Sequence, residues 1–178
     1  MSRKRIYTIG AKELRTKCRP IAKFDARLSL ILRDMADTMY EANGVGLAAS
    51  QVGILRRLVV IDVGEGLIEL VNPEIIASEG EAGMVEGCLS VPGRRGFVTR
   101  SEKLTLRAQD KTGKFFELPA EGLLARAIQH EIDHLDGVLY VDRMEYEVFE
   151  EDEEEDEARE ITPADEARPR RGARSQAV

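Results

Sequence analysis

His130-Glu131-Ile132-Asp133-His134 reads H-E-x-x-H. On an α-helix, residues four apart stand about 40° apart around the axis and one turn along it. Two imidazoles so placed can grip one metal ion from a single face. Glu131 lies one step round from His130, close enough to handle the proton of a water held at that metal. The surroundings favour a helix. Glu121 to Leu135 carries Leu123, Leu124, Ala125, Arg126 and Ala127, contains no proline, and is followed by Gly137 as a C-cap. A lone five-residue match also arises by chance on ordinary helices.

The chain has 2 histidines, both in this motif. A three-histidine site within one chain is therefore excluded. The stretch continues Leu135-Asp136-Gly137-Val138-Leu139-Tyr140, which follows H-E-x-x-H-x-x-G-x-x-H until Tyr140 takes the place of a third histidine. A third ligand must come from elsewhere, as Cys, Asp or Glu. The downstream carboxylates belong to a low-complexity acidic run, a poor place for a rigid ligand. Upstream, Glu86-Gly87-Cys88-Leu89-Ser90-Val91-Pro92 reads as a fixed, extended loop between strands. A lone cysteine is more often a small buried hydrophobe. A site short of one donor raises Cys88 to a candidate ligand, and a thiolate suits iron, zinc or nickel. Cys18, among Lys17, Arg19 and Pro20, has no such context.

Gly44-Val45-Gly46-Leu47-Ala48-Ala49-Ser50-Gln51 is a run of small and apolar residues with one long polar side chain, Gln51. Small residues let a backbone or a ligand approach closely. The run is no dinucleotide fingerprint, since its third glycine is misplaced and no strand precedes it. Alone it reads as a surface turn.

These residues need a scaffold. Asp25 to Ala42 reads as a helix, with Leu28, Ile31, Leu32, Met35 and Met39 on one stripe, Asp25 as N-cap and Asn43-Gly44 as the stop. Arg57 to Val63 and Leu67 to Ile76 are strand-like, with Pro73 limiting pairing in the second. Lys103 to Ala108 alternates, Asp110-Lys111-Thr112-Gly113 signals a turn, and Lys114 to Leu118 can return as a hairpin partner. The reading is an α+β domain: antiparallel strands surrounding a central helix that carries the H-E-x-x-H motif.

A chain of 178 residues suffices for one domain with a real core. No apolar run approaches the roughly 20 residues that span a bilayer. The basic N-terminus lacks the apolar stretch of a signal peptide, so a cytoplasmic location and reduced thiols are expected. The net charge of −7 is uneven. Residues 145–178 carry 13 acidic and 5 basic side chains of the chain's 33 and 26, leaving 20 and 21 for residues 1–144. A nearly neutral folded part gives no reason to expect nucleic acid as substrate. Residues 1–146 are expected to form the catalytic domain and residues 147–178 a charged, disordered tail.

Taken together, three stretches resemble peptide deformylase. That family carries G-hydrophobic-G-L-A-A-x-Q, E-G-C-L-S and H-E-x-D-H in this order, and here they are Gly44 to Gln51, Glu86 to Ser90 and His130 to His134. The resemblance covers residues 3–143. It implies removal of the formyl group from formyl-methionine at the start of nascent polypeptides; a monomer is expected. It implies one divalent metal ion, most often Fe2+ with Zn2+ or Ni2+ able to replace it, on Cys88, His130 and His134. It makes Glu131 the general base and acid, the Gln51 amide and the Leu89 backbone N–H the oxyanion donors, and the backbone around Val45 and Gly46 the holder of an extended peptide.

Helix geometry adds that Leu123 and Ala127 fall within about 60° of the ligand face, as walls of a pocket for a methionine side chain. Asp133 is expected to pair with Arg100, and Arg95 to reach the peptide. The basic stretch Arg168 to Arg174 could touch ribosomal RNA. Two rivals stand beside this reading. A metallo-endopeptidase would need a third ligand downstream of the helix. A non-catalytic binder of formylated N-termini would have no use for Glu131.

Overall fold

The computed structural model describes residues 3–149. In chain order the elements are α1 (Ala26–Glu41), β1 (Gly46–Ala48), β2 (Leu58–Ile61), β3 (Ile68–Glu79), β4 (Ala82–Cys88), β5 (Val91–Arg100), β6 (Lys103–Gln109), β7 (Phe115–Glu121), α2 (Gly122–Leu135) and β8 (Tyr146–Val148). The strands form a five-stranded sheet in the order β1-β2-β3-β6-β7 and a three-stranded sheet in the order β4-β5-β8. All pairings within the two sheets are antiparallel. This is the α+β arrangement that the sequence predicts.

The β-branched run becomes β2, and both of its faces are buried. Leu58 and Val60 join the core that Leu28, Leu32, Met35 and Met39 of α1 cover. Val59 and Ile61 join the core that Ala125, Ala127, Ile128 and Leu135 of α2 cover. The five-stranded sheet thus separates the two helices. On β6, Leu104, Leu106 and Ala108 point into the α2 core, as their alternation requires.

The local signals act where expected. Asp25 caps α1, its side chain accepting from Leu28 N. Asn43 takes φ +56 just past the helix end. Asp110 Oδ1 accepts from Thr112 N and Lys114 N in the β6–β7 turn. Pro73 does not end β3. The strand runs through it with a register shift against β6 between Val71 and Glu74, and Asn72, at φ +50, uses its amide to bind Ile21 and Gln109.

Two readings are corrected. Glu86 to Pro92 is not an extended loop between strands: it is the end of β4, the turn at Leu89-Ser90 and the start of β5, which pair as a hairpin. The run from Gly44 to Gln51 is not a surface turn, because Leu47 to Gln51 are all at most 1% exposed and comprise most of β1 and the 3-10 turn after it. Strand β8 pairs Tyr146 to Val148 with Phe97 to Arg95 of β5, so the expected domain boundary at residue 146 falls at its start. The acidic run and the basic stretch that follows it lie outside the described residues.

Candidate metal and catalytic site

Helix α2 carries His130, Glu131 and His134, all at most 1% exposed. Cys88 is the last residue of β4. The helix and the hairpin bring the Cys88, His130 and His134 donor atoms within 4.8 Å of one another. Cys88 Sγ stands 3.3 Å from His134 Nε2. His130 Nε2, His134 Nδ1 and both Glu131 carboxylate oxygens are buried without a hydrogen-bond partner. Buried polar atoms left unpaired are costly, and the free His130 Nε2 and Glu131 carboxylate near a thiol describe a place made for something else to bind.

Electrostatics fit a cation there. Burial, aided by the nearby charges of Glu131 and Glu86, pushes the Cys88 thiol up to about 12, against the lowering contacts of the Ser90 and Val91 N–H groups. A thiolate at neutral pH therefore needs a positive partner. Burial, then the charges of His130 and Arg100, holds His134 well below the ordinary imidazole range, so it is neutral and free to donate a lone pair. Burial, with the Glu86 charge, holds Glu131 well above the ordinary carboxylate range.

The three motifs interlock. Gly44 leaves room for Leu89, whose Cδ1 would lie 2.7 Å from a Cβ there. Gly46 leaves room for Glu131, since a Cβ there would overlap Oε1. Ser50 Oγ donates to His134 O at 3.2 Å. Gln51 Oε1 accepts from Ala48 N at 2.9 Å, which turns Nε2 toward Ser90 Oγ at 3.1 Å and Cys88 Sγ at 3.7 Å. The Leu89 N–H has no acceptor among the described residues.

Glu86 supports the histidines from behind. Its carboxylate is fully buried, and Oε2 lies 2.9 Å from His130 Nδ1, so that the Nδ1–H donates and Nε2 faces the site. Arg100 donates to both Glu86 oxygens, Nε to Oε1 at 2.6 Å and NH2 to Oε2 at 3.0 Å. Burial alone would raise this carboxyl, but hydrogen bonds and charge from His130 and Arg100 hold it well below the usual range. Arg100 also reaches Asp133 at 2.9 Å, the pair the sequence predicts, and Arg143 shares that carboxylate at 2.6 and 2.8 Å. Tyr140 stacks on His130 with centroids 6.1 Å apart and donates its hydroxyl to Arg94 O.

The model of the polypeptide deformylase family matches residues 3–149. The chain belongs to the polypeptide deformylase family. A peptide deformylase of Caldicellulosiruptor bescii is 57% identical over 159 residues, 89% of this chain and 96% of that one. The crystal structure of a deformylase from Thermotoga maritima superposes with a TM-score of 0.81 at 41% identity, covering 82% of this chain and 100% of that one. A deformylase structure from Legionella pneumophila gives 0.78 at 48%, covering 80% and 86%.

Within this deformylase fold the remaining expected residues are placed as follows. Val45 is half-buried against the α2 core, and its carbonyl accepts from Asp62 N. Leu123 is half-exposed on the first turn of α2, whereas Ala127 is wholly buried in the core against the five-stranded sheet. Arg95 is half-buried on β5, and its stem passes 3.9 Å from where a Cβ of Gly87 would be. Sequence reasoning assigned nothing to Glu86, Ser90, Arg126 or Tyr140. One signal was available for Arg126: it precedes His130 by four residues, on the same helical row.

Proposed function

We propose that this chain removes the N-terminal formyl group from formyl-methionyl polypeptides, with Cys88, His130 and His134 holding one divalent metal ion and Glu131 moving the proton. Membership of the deformylase family carries the reaction. The observation that supports the site is the meeting of three donor atoms with a buried, unpartnered carboxylate beside them. When bound, the metal supplies Lewis acidity toward the formyl oxygen and a lowered pKa for water. Glu131 accepts the proton of the attacking water and passes it to the departing amine, and a carboxyl raised by burial suits both halves of that task.

The Gln51 Nε2–H and the Leu89 N–H donate to the carbonyl oxygen as it becomes negative. Strand β1 is the edge of its sheet, so the backbone at Val45 and Gly46 can take an extended peptide as a further strand. Leu123 and Ala127 serve as one wall of the methionine pocket, and Arg95 contacts the peptide further along. Membership of the deformylase family points to ferrous iron, and a thiolate–bis-imidazole set also accepts zinc or nickel. The enzyme acts as a cytoplasmic monomer, with any ribosome contact made through residues 168–174.

The test is anaerobic purification, metal analysis and an assay of formate release from formyl-Met-Ala-Ser. About one metal per chain, with release lost in Glu131→Ala while metal is retained, supports the roles. Full metal retention in Cys88→Ala would break the ligand assignment. Full activity after prolonged aeration would remove iron from it.

A further inference from the structure

Cys88 and the two histidines belong to different parts of the fold. His130 and His134 ride on α2, which is anchored to the five-stranded sheet through Ala125, Ala127, Ile128 and Leu135. Cys88 belongs to the three-stranded sheet. Strands β4 and β5 are not among those that pack extensively on α2. Polar side chains bridge the difference: Arg100 of β5 reaches Asp133 of α2, and Arg126 of α2 reaches both β4 and β5.

Arg126 is 3% exposed. Its NH1 donates to Glu86 Oε1 at 2.6 Å and to Val98 O at 3.0 Å, and its NH2 donates to Ala82 O at 2.6 Å. Ala82 and Glu86 lie on β4, and Val98 lies on β5. One guanidinium therefore ties both strands of the hairpin to one turn of α2. His130 stands one turn further along the same row and takes the other Glu86 oxygen. The guanidinium is a rigid planar fork, so three satisfied acceptors fix both distance and direction. A buried cation is a poor way to gain stability alone, and Glu86 already has Arg100 to balance its charge.

We propose that Arg126 is a positioning residue that sets the spacing and register between the β4–β5 hairpin and α2, holding the Cys88 thiol in reach of the His130 and His134 imidazoles before metal arrives. This rests on the reading of those three residues as ligands. A site ordered in advance binds its metal without having to order the chain at that moment.

The test is an anaerobic Co2+ titration of the metal-free full-length protein, comparing wild type with Arg126→Met and Arg126→Lys. The readouts are affinity, the thiolate-to-cobalt charge-transfer band and the ligand-field bands, beside thermal unfolding of each metal-free form. Arg126→Met should bind Co2+ at least about tenfold more weakly, with altered ligand-field bands. Arg126→Lys, which keeps the charge but loses the fork, should fall between. A folded Arg126→Met with wild-type affinity and spectrum overturns the proposal. Should that variant not fold, Arg126→Lys decides alone, and a wild-type spectrum with unchanged affinity overturns it even where the unfolding temperature drops. A charge-transfer band that persists in Cys88→Ala would instead sink the ligand assignment, and the positioning role with it.

Discussion

Gly46 and Glu131 share one volume: a methyl group on Gly46 would overlap Glu131 Oε1 and stand 3.0 Å from Cδ and 3.1 Å from Cγ. Gly46 cannot retreat, because its backbone is paired with Ile61 of β2. Glu131 would have to move instead. Gly46→Ala is expected to lower kcat for formate release by about a hundredfold, the ordinary value of a well-placed acid or base. Metal content should stay at the wild-type level. Unchanged kcat would mean that Glu131 does not need its place under β1.

Glu86→Gln keeps the shape of the side chain and removes its charge. Arg100 and Arg126 would then face each other across a neutral amide in a buried site. Breaking such a pairing costs roughly 3–5 kcal/mol. His130 loses a charged acceptor for its Nδ1–H, and metal affinity should fall by about ten- to a hundredfold. Urea unfolding and metal titration measure the two effects separately. A variant with wild-type stability would show that the guanidinium charges are balanced elsewhere.

Gln51 Nε2 is aimed by two contacts, Ala48 N on its oxygen and Ser90 Oγ on its nitrogen. Gln51→Ala should cost about a hundred- to a thousandfold in kcat, the range for one oxyanion donor. Ser90→Ala removes only the aim, and a smaller loss with little change in KM is expected. Steady-state kinetics on one formyl-peptide decide both. Equal losses in the two variants would mean that Ser90 does more than orient the amide.

The Cys88 thiol, at about 12, is protonated in the metal-free fold at neutral pH. Binding a cation there requires that proton to leave. Metal uptake should release about one proton per chain from Cys88, and affinity should rise about tenfold for each unit of pH between 6 and 8. An indicator dye in weak buffer records the release directly. Affinity independent of pH across that window would remove Cys88 from the ligand set.

Sequence periodicity identified the elements whose signals are local. The stripe of α1, the alternation of β6 and the turn at Asp110 depend on residues near each other in the chain. Strands β4 and β5 stayed hidden because their glycines resemble loop residues. Gly83 is needed beneath the Phe97 ring and Gly96 beneath Met144, contacts that exist only once the strands have paired. β1 is three residues long, buried throughout, and offers no alternation to detect. Within the candidate site, residue types that commonly do chemistry are conspicuous, and the sequence singles out His130, Glu131, His134, Cys88 and Gln51. Glu86 and Arg126 are charged types that normally sit in water; nothing local marks Glu86 as buried, and for Arg126 the one sign is its place on the His130 row. Asp133 and Arg100 were legible because a carboxylate on the ligand side of a buried helix needs a cation.

Cys88 has a second membership. It packs with Leu14, Val91, Val98, Leu139 and Tyr140 in the smallest of the three cores, the one beneath the three-stranded sheet. A sulfur that is alkylated, or oxidised to a sulfinic acid, no longer fits among those side chains. Damage at this one atom therefore propagates as loosened packing through the hairpin, and trypsin cutting at Arg94 or Arg95 would report it before any loss of helix.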